Sequence, residues 1–290
     1  MSSRSERADA ALLRRWGLPD PGDSKKTRGR VMVVGGSRRA PGAVLLAGEA
    51  ALRVGAGRLG LVVPGSIDAQ IGIAIPEAAI FALPERATAA IGQPARDELS
   101  GADAVLVGPG FDDPEQTRGT VLAVADCGIG CLVLDAFALG ILPRIPRELL
   151  PATLILNPNA EEAAILLGRE LADDRTEDRA DDVAEIARRF DAVVNCYGTI
   201  AAADGTTWRI DAGGPGLATS GSGDVLAGAI AGFAARGAPP EQAAVRGSWT
   251  HARAGDRLAA RVGLGYLARD LVRELTPAVT ETAGGPGSDD

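Results

Sequence analysis

The stretch GGPGLATSGSGDVLAGAIAGFAARG, residues 213–237, decides how the chain folds. From Asp224 onward it reads as a helix. Val225, Leu226, Ala229, Ile230 and Phe233 fall on one face at helical spacing, and Gly237 supplies a C-terminal stop. Upstream, Gly221-Ser222-Gly223 places flexible backbone at the helix N-terminus. Unbonded N–H groups and the positive end of the helix dipole favour an anion there, and glycine lets the chain approach a phosphate with no side chain between. Asp224 is the anomaly. A phosphate repels a carboxylate, but beside an acceptor hydroxyl Asp224 would take or orient that proton during phosphoryl transfer. It would equally serve as a first-turn acid that favours the dipole, with Ser222 as a simple N-cap.

Outward from this helix, short apolar runs alternate with helical patterns. Strands are expected at 30–34, 59–63, 104–107, 132–134, 153–156 and 192–195, with helices such as 43–54 and 163–167 between them. The runs are continuously Val, Leu and Ile, as in parallel strands covered on both faces. The pattern predicts one α/β domain over 25–279 with a mostly parallel sheet. Asp204-Gly205, within AVVNCYGTIAAADGTTWRI at 192–210, predicts an antiparallel ribbon on that sheet. The lead-in, 1–24, holds an amphipathic helix around Leu13 to Trp16, expected to pack on the domain or on a neighbouring subunit. The Gly-rich acidic tail from Thr280 is expected to be disordered, and Asp173 to Asp182 to form a solvated loop and helix start.

Bulk properties narrow the function. With 30 Lys plus Arg against 38 Asp plus Glu, the net charge is −8, which argues against a nucleic-acid binder. Small anionic ligands stay possible because local geometry holds them. Residues 1–26 lack the apolar core of a signal peptide, and no stretch approaches the apolar length of a membrane helix. Three cysteines, Cys127, Cys131 and Cys196, match neither a disulfide framework nor a zinc site. A soluble protein of the reduced cytoplasm is expected, with Cys127 and Cys131 as small buried hydrophobes.

The N-terminal turn in VMVVGGSRRAPGAVLLAGEAALRVGAG, 31–57, is strand, glycine turn, helix. Gly35 and Gly36 are adjacent, so the dinucleotide spacing G-x-G-x-x-G is missing, and no Gly-Lys-Ser/Thr follows to make a P-loop. His251 is the lone histidine, which speaks against a histidine metal site.

Three segments in series, extending that turn to residue 64, then ADAVLVGPGF at 102–111 and the glycine stretch at 213–237, resemble the ADP-dependent (6S)-NAD(P)H-hydrate dehydratases, a branch of the ribokinase-like superfamily. The resemblance implies a three-layer α/β/α sandwich. It also implies an enzyme that dehydrates the damaged nicotinamide ring, phosphorylating the ring hydroxyl and expelling phosphate, with ADP or ATP and Mg²⁺ consumed or bound. By position, Asp224 would be the catalytic base and a substrate contact. Ala43, Gly110 and Asn159 would line the hydrate site, Glu162 would lie near Mg²⁺, and Asn195, Cys196, Tyr197, Gly198 and Thr199 with Gly221, Ser222 and Gly223 would hold the nucleotide. A late-helix histidine of the family matches His251, near the nucleotide or packing the helix, and a homotetramer is expected.

The chain departs from the family pattern at several places. NPNAEE at 157–162 puts Asn159 where the family has histidine and Glu161 where it has glycine. NCYGT at 195–199 puts Asn195 in place of a lysine, removing one direct phosphate contact and leaving Cys196 as an exposed, oxidisable thiol. DAFAL at 135–139 keeps Asp135 but has Phe137 at a usually acidic position, and Gly214 replaces an asparagine. A small-molecule kinase of the same superfamily, or a nucleotide-binding relative without activity, are the alternatives.

Overall fold

The computed structural model describes residues 5–20, 22–84, 90–172 and 177–283. The first half runs β1 (Ser5–Arg7), α1 (Ala10–Trp16), β2 (Arg30–Val34), α2 (Gly42–Arg53), β3 (Arg58–Pro64), α3 (Asp68–Ala74), β4 (Ala78–Leu83) and α4 (Gln93–Ser100). The middle continues β5 (Ala104–Val107), α5 (Pro114–Ala125), β6 (Cys131–Leu134), α6 (Phe137–Ile141), β7 (Thr153–Leu156), α7 (Ala160–Leu167) and α8 (Glu177–Phe190). It ends with β8 (Val193–Cys196), β9 (Thr199–Ala201), β10 (Thr207–Arg209), α9 (Ser222–Ala235), α10 (Pro240–Val262) and α11 (Ala268–Thr280).

The strands form one sheet in the order β1-β10-β9-β8-β7-β6-β5-β2-β3-β4. All neighbours pair in parallel except β8 with β9 and β9 with β10. Continuous apolar runs make this sheet because alternate residues feed two cores. Val31 and Val33 enter the core made with α2, α9, α10 and α11. Met32 and Val34 enter the opposite core, under α4 to α8. The result is the expected three-layer sandwich.

Glycine sets the closest helix contact. A Cβ on Gly228 of α9 would lie 2.1 Å from the Ala47 carbonyl oxygen of α2, so only a bare backbone fits there.

Several expectations need correction. The lead-in holds a strand as well as a helix: β1 pairs in parallel with β10, while Leu12 and Leu13 of α1 are buried. Strand β4 at the far edge was not foreseen. The tail is ordered beyond Thr280, since Glu281 accepts from Arg253 and Arg257 at 2.6 and 2.8 Å and Thr282 is buried. The rest of the tail, 284–290, lies outside the described residues. So do 173–176 of the acidic cluster, but Asp182 is buried and bonded to Arg169 at 2.6 Å, not solvated. Among the described residues no helix is long and apolar enough to cross a membrane.

Candidate active site

The site lies where the parallel strands end and α9 begins, the crevice in which open α/β sheets bind ligands. Gly221, at φ 87°, turns the chain into α9. The Ser222 amide donates to Thr219 O at 3.1 Å, while the amides of Gly223 and Asp224 make no backbone bond among the described residues. Two donors thus stand open at the positive end of a 14-residue helix. Ser222 is turned away from them: its hydroxyl lies 2.9 Å from His251 Nε2, which also sits 3.0 Å from Ser222 O. Burial lowers the His251 pKa to about 4, so the ring is neutral and packs α10 onto α9. It holds α10 against the first turn of α9.

Asp224 is half-buried, and burial pushes its carboxyl up to about 6. That brings it close to neutral pH, where a general base works best. Gly221 abuts α2, because a Cβ on Gly221 would lie 2.6 Å from Leu46, and the same Cβ would lie 3.9 Å from Asp224 Oδ2. One turn earlier on α2, Ala43 meets Gly110, whose own Cβ would lie 3.1 Å from that of Ala43. The structure therefore joins Ala43, Gly110, Gly221 and Asp224 into one continuous wall.

The facing wall is a buried polar row that the sequence did not disclose. Register places Leu134, Leu156 and Val194 side by side. Asp135, Asn157 and Asn195 follow them, on the face covered by α9 and α10. Asn157 Nδ2 donates to Asp135 Oδ1 at 2.8 Å, and Asn195 Nδ2 donates to Asn157 Oδ1 at 2.6 Å. Asn195 Oδ1 is buried with no partner among the described residues. Burial first, then the charges of Glu162 and Asp224, raise the Asp135 carboxyl well above its usual range. Asn157 was passed over because its role depends on pairing across three strands, not on any local motif.

Asn159 and Glu162 turn out to be partners. Asn159 caps α7 by accepting from the Glu162 amide, and Glu162 Oε2 accepts from the Asn159 amide, each at 2.9 Å. The spacing N-x-x-E could have revealed this capping box. Burial raises the Glu162 carboxyl despite the Asn159 amide. Among the described residues no three His, Cys, Asp or Glu side chains converge on a metal position.

The segment 195–199 is a tight hairpin, not an open loop. Tyr197 and Gly198 have φ of 49° and 78°, as a two-residue turn with the twist of its strands requires. Tyr197 is exposed, and Thr199 begins β9. Cys196 points to the opposite face from Asn195, into the core under α8, where its thiol is fully buried and raised to about 11. The expectation of an exposed, oxidisable thiol is wrong. Cys127 and Cys131 are only partly buried. No hydrogen bond joins 195–199 to 221–223 among the described residues.

An α/β/α sandwich with open amides at the head of this helix is the architecture of a ribokinase-like protein. The backbone matches a ribokinase-like superfamily protein of Enterococcus faecalis V583 at TM-score 0.81 and 23% identity, over 96% of each chain. It matches the ADP/ATP-dependent NAD(P)H-hydrate dehydratase of Bacillus subtilis, co-crystallized with ATP/Mg²⁺, at TM-score 0.82 and 26% identity, over 96% of this chain and 98% of that one. A family model described as NAD(P)H-hydrate dehydratase matches residues 31–277. The ADP-dependent (S)-NAD(P)H-hydrate dehydratase of Xanthomonas campestris pv. campestris is 44% identical over 273 residues, 92% of this chain and 93% of that relative. The chain spans about half of a bifunctional NAD(P)H-hydrate repair enzyme from Moorella thermoacetica, 36% identical over 88% of this chain and 52% of that protein. The chain belongs to the NAD(P)H-hydrate dehydratase family.

Proposed function

We propose that this chain is an ADP-dependent (S)-NAD(P)H-hydrate dehydratase, a lyase that returns hydrated NADH and NADPH to use. The observation that carries this reading is Asp224: a half-buried carboxyl raised to about 6, one residue from the open amide of Gly223 at the head of α9. The amides of Gly223 and Asp224 receive phosphate oxygens of the nucleotide. Asp224 takes the proton of the ring hydroxyl as that oxygen attacks the terminal phosphoryl group of ADP, releasing AMP. Phosphate then leaves with the electrons of the ring C–O bond, and loss of a proton from the adjacent ring carbon restores the double bond. Ala43 and Gly110 line the hydrate, and Asn159 borders it. The hairpin at 195–199 borders the nucleotide.

Mg²⁺ fits the donors present. Asp135 and Glu162 offer hard oxygen atoms, and Mg²⁺ is ordinarily held by one or two carboxylates together with phosphate oxygens and water. Glu162 Oε1 has no partner among the described residues, while Oε2 is taken by the Asn159 amide. When bound, the ion neutralises phosphate charge. Our reading also makes the protein a cytoplasmic homotetramer; light scattering of the purified protein checks the number of subunits.

The decisive experiment supplies (S)-NADHX, ADP and Mg²⁺ and follows the return of NADH absorbance. We expect turnover in the wild type and none in Asp224→Ala. A stable phosphorylated product with no NADH would instead make the chain a kinase and sink the reading.

A further inference from the structure

The site is short of positive charge. The carboxyl groups of Glu162 and Asp224 both act electrostatically on Asp135, and neither Asn159 nor Asn195 is charged. The whole chain is acidic, at −8, so no general field draws an anion in. Yet the substrate of the function proposed above is a dinucleotide, whose halves are joined by a pyrophosphate carrying two negative charges.

Among the described residues, the connections leaving the C-terminal ends of the parallel strands β2 to β8 hold two basic side chains. These are Arg38 and Arg39, both between β2 and α2. Both are exposed, and neither makes a hydrogen bond or an ion pair among the described residues. The backbone beneath them is fixed. Gly36 N–H donates to Pro109 O at 2.8 Å, and a Cβ on Gly110 would lie 2.5 Å from Ala40 O. Their loop is therefore locked onto the turn that bears Gly110, within five residues of Ala43.

We propose that Arg38 and Arg39 bind the pyrophosphate of the dinucleotide hydrate. This rests on the function proposed above. Guanidinium groups suit phosphate because their planar N–H pairs match its oxygen atoms. Position selects which phosphate. The pyrophosphate lies one ribose from the nicotinamide ring, which Ala43 and Gly110 line. The 2′-phosphate of the NADPH form lies at the far end.

The test compares the full chain with Arg38→Ala/Arg39→Ala and Arg38→Lys/Arg39→Lys in steady-state assays, using ADP, Mg²⁺ and purified (S)-NADHX or (S)-NADPHX. In the alanine variant, KM for both hydrates should rise by the same factor, about tenfold or more for two lost charge-assisted contacts. Its kcat, its KM for ADP and its thermal midpoint should stay near wild type, and the lysine variant should fall between. An unchanged hydrate KM overturns the proposal. So does a rise in KM for ADP instead, or an effect confined to (S)-NADPHX. Calorimetric titration of (S)-NADHX into wild type and variant reads the contact even if the wild type shows no turnover. Failure of the proposed function is thereby separated from failure of this contact.

Discussion

Asp224 ties activity and stability together through one proton. Its carboxyl is raised by burial from an ordinary 3.8 to about 6. As a base it must be ionised, so kcat/KM should climb as pH rises through about 6 and fall about tenfold per unit well below it. The stability consequence has the opposite sense. Between about 4 and 6 the folded chain holds this proton better than the unfolded chain does. The stabilisation is full below the ordinary carboxyl pKa and is lost as pH rises through about 6, at most about 3 kcal/mol. Asp224→Asn should therefore abolish turnover and yet raise the urea midpoint at pH 8, with little change at pH 4. An equal shift at both pH values would show that the carboxyl is not desolvated. Only one side of the site was legible from single residues. The glycine turn and Asp224 stand within four positions of one another, so spacing revealed them. The row Asp135–Asn157–Asn195 spans 60 positions and exists only through strand register.

At the level of elements, the position of α9 depends on glycine in the packing seam. Gly228 faces the Ala47 backbone, and Gly232 faces Ala51, where a Cβ would meet the Ala51 carbonyl oxygen at 2.7 Å. Gly228→Ala would gain helix propensity, but its methyl group has nowhere to go except into α2. The net change should be a destabilisation of about 1–3 kcal/mol. Because α2 carries Ala43 and Leu46 while α9 carries Gly221 and Asp224, the same methyl group should part the two halves of the wall. We expect a higher KM for ADP together with a lower thermal midpoint. A lower midpoint with unchanged KM would mean that the anion site does not depend on this seam. The elements themselves were readable where burial on both faces made their strands continuously apolar, as in β2, β5 and β7. Strand β4, Ala-Ala-Ile-Phe-Ala-Leu, is as continuously apolar as these, but half of it is alanine, which favours helix over strand. Strand β1 escaped because Ser-Glu-Arg has no apolar residue at all.

Across the whole molecule, the two ends of the chain close over the same side of the sheet. Strand β1 covers the edge of β10, α1 buries Leu12 and Leu13, and Arg14 Nη1 donates to Glu281 O at 3.1 Å. The pin is Arg246 of α10. It is 1% exposed, no carboxylate among the described residues pairs with it, and burial lowers its pKa to about 10. Its guanidinium donates to the carbonyl oxygen of Leu13, at 3.0 Å, and to that of Gly17, and lies 5.8 Å from the centre of the Trp16 ring. The cation thus satisfies carbonyl groups that α1 leaves open at its C-terminus. Removing residues 1–17 would strand a buried guanidinium without acceptors and bare the β10 edge, at about 3 kcal/mol or more for the unpaired cation alone. A double-mutant cycle separates these effects. Arg246→Met should destabilise the full chain, which loses the cap. In the truncated chain the same substitution should be neutral or stabilising, since it removes a charge that has lost its partners. If Arg246→Met has the same effect in both chains, the lead-in is held by β1 pairing and apolar burial, and Arg246 contributes nothing to it.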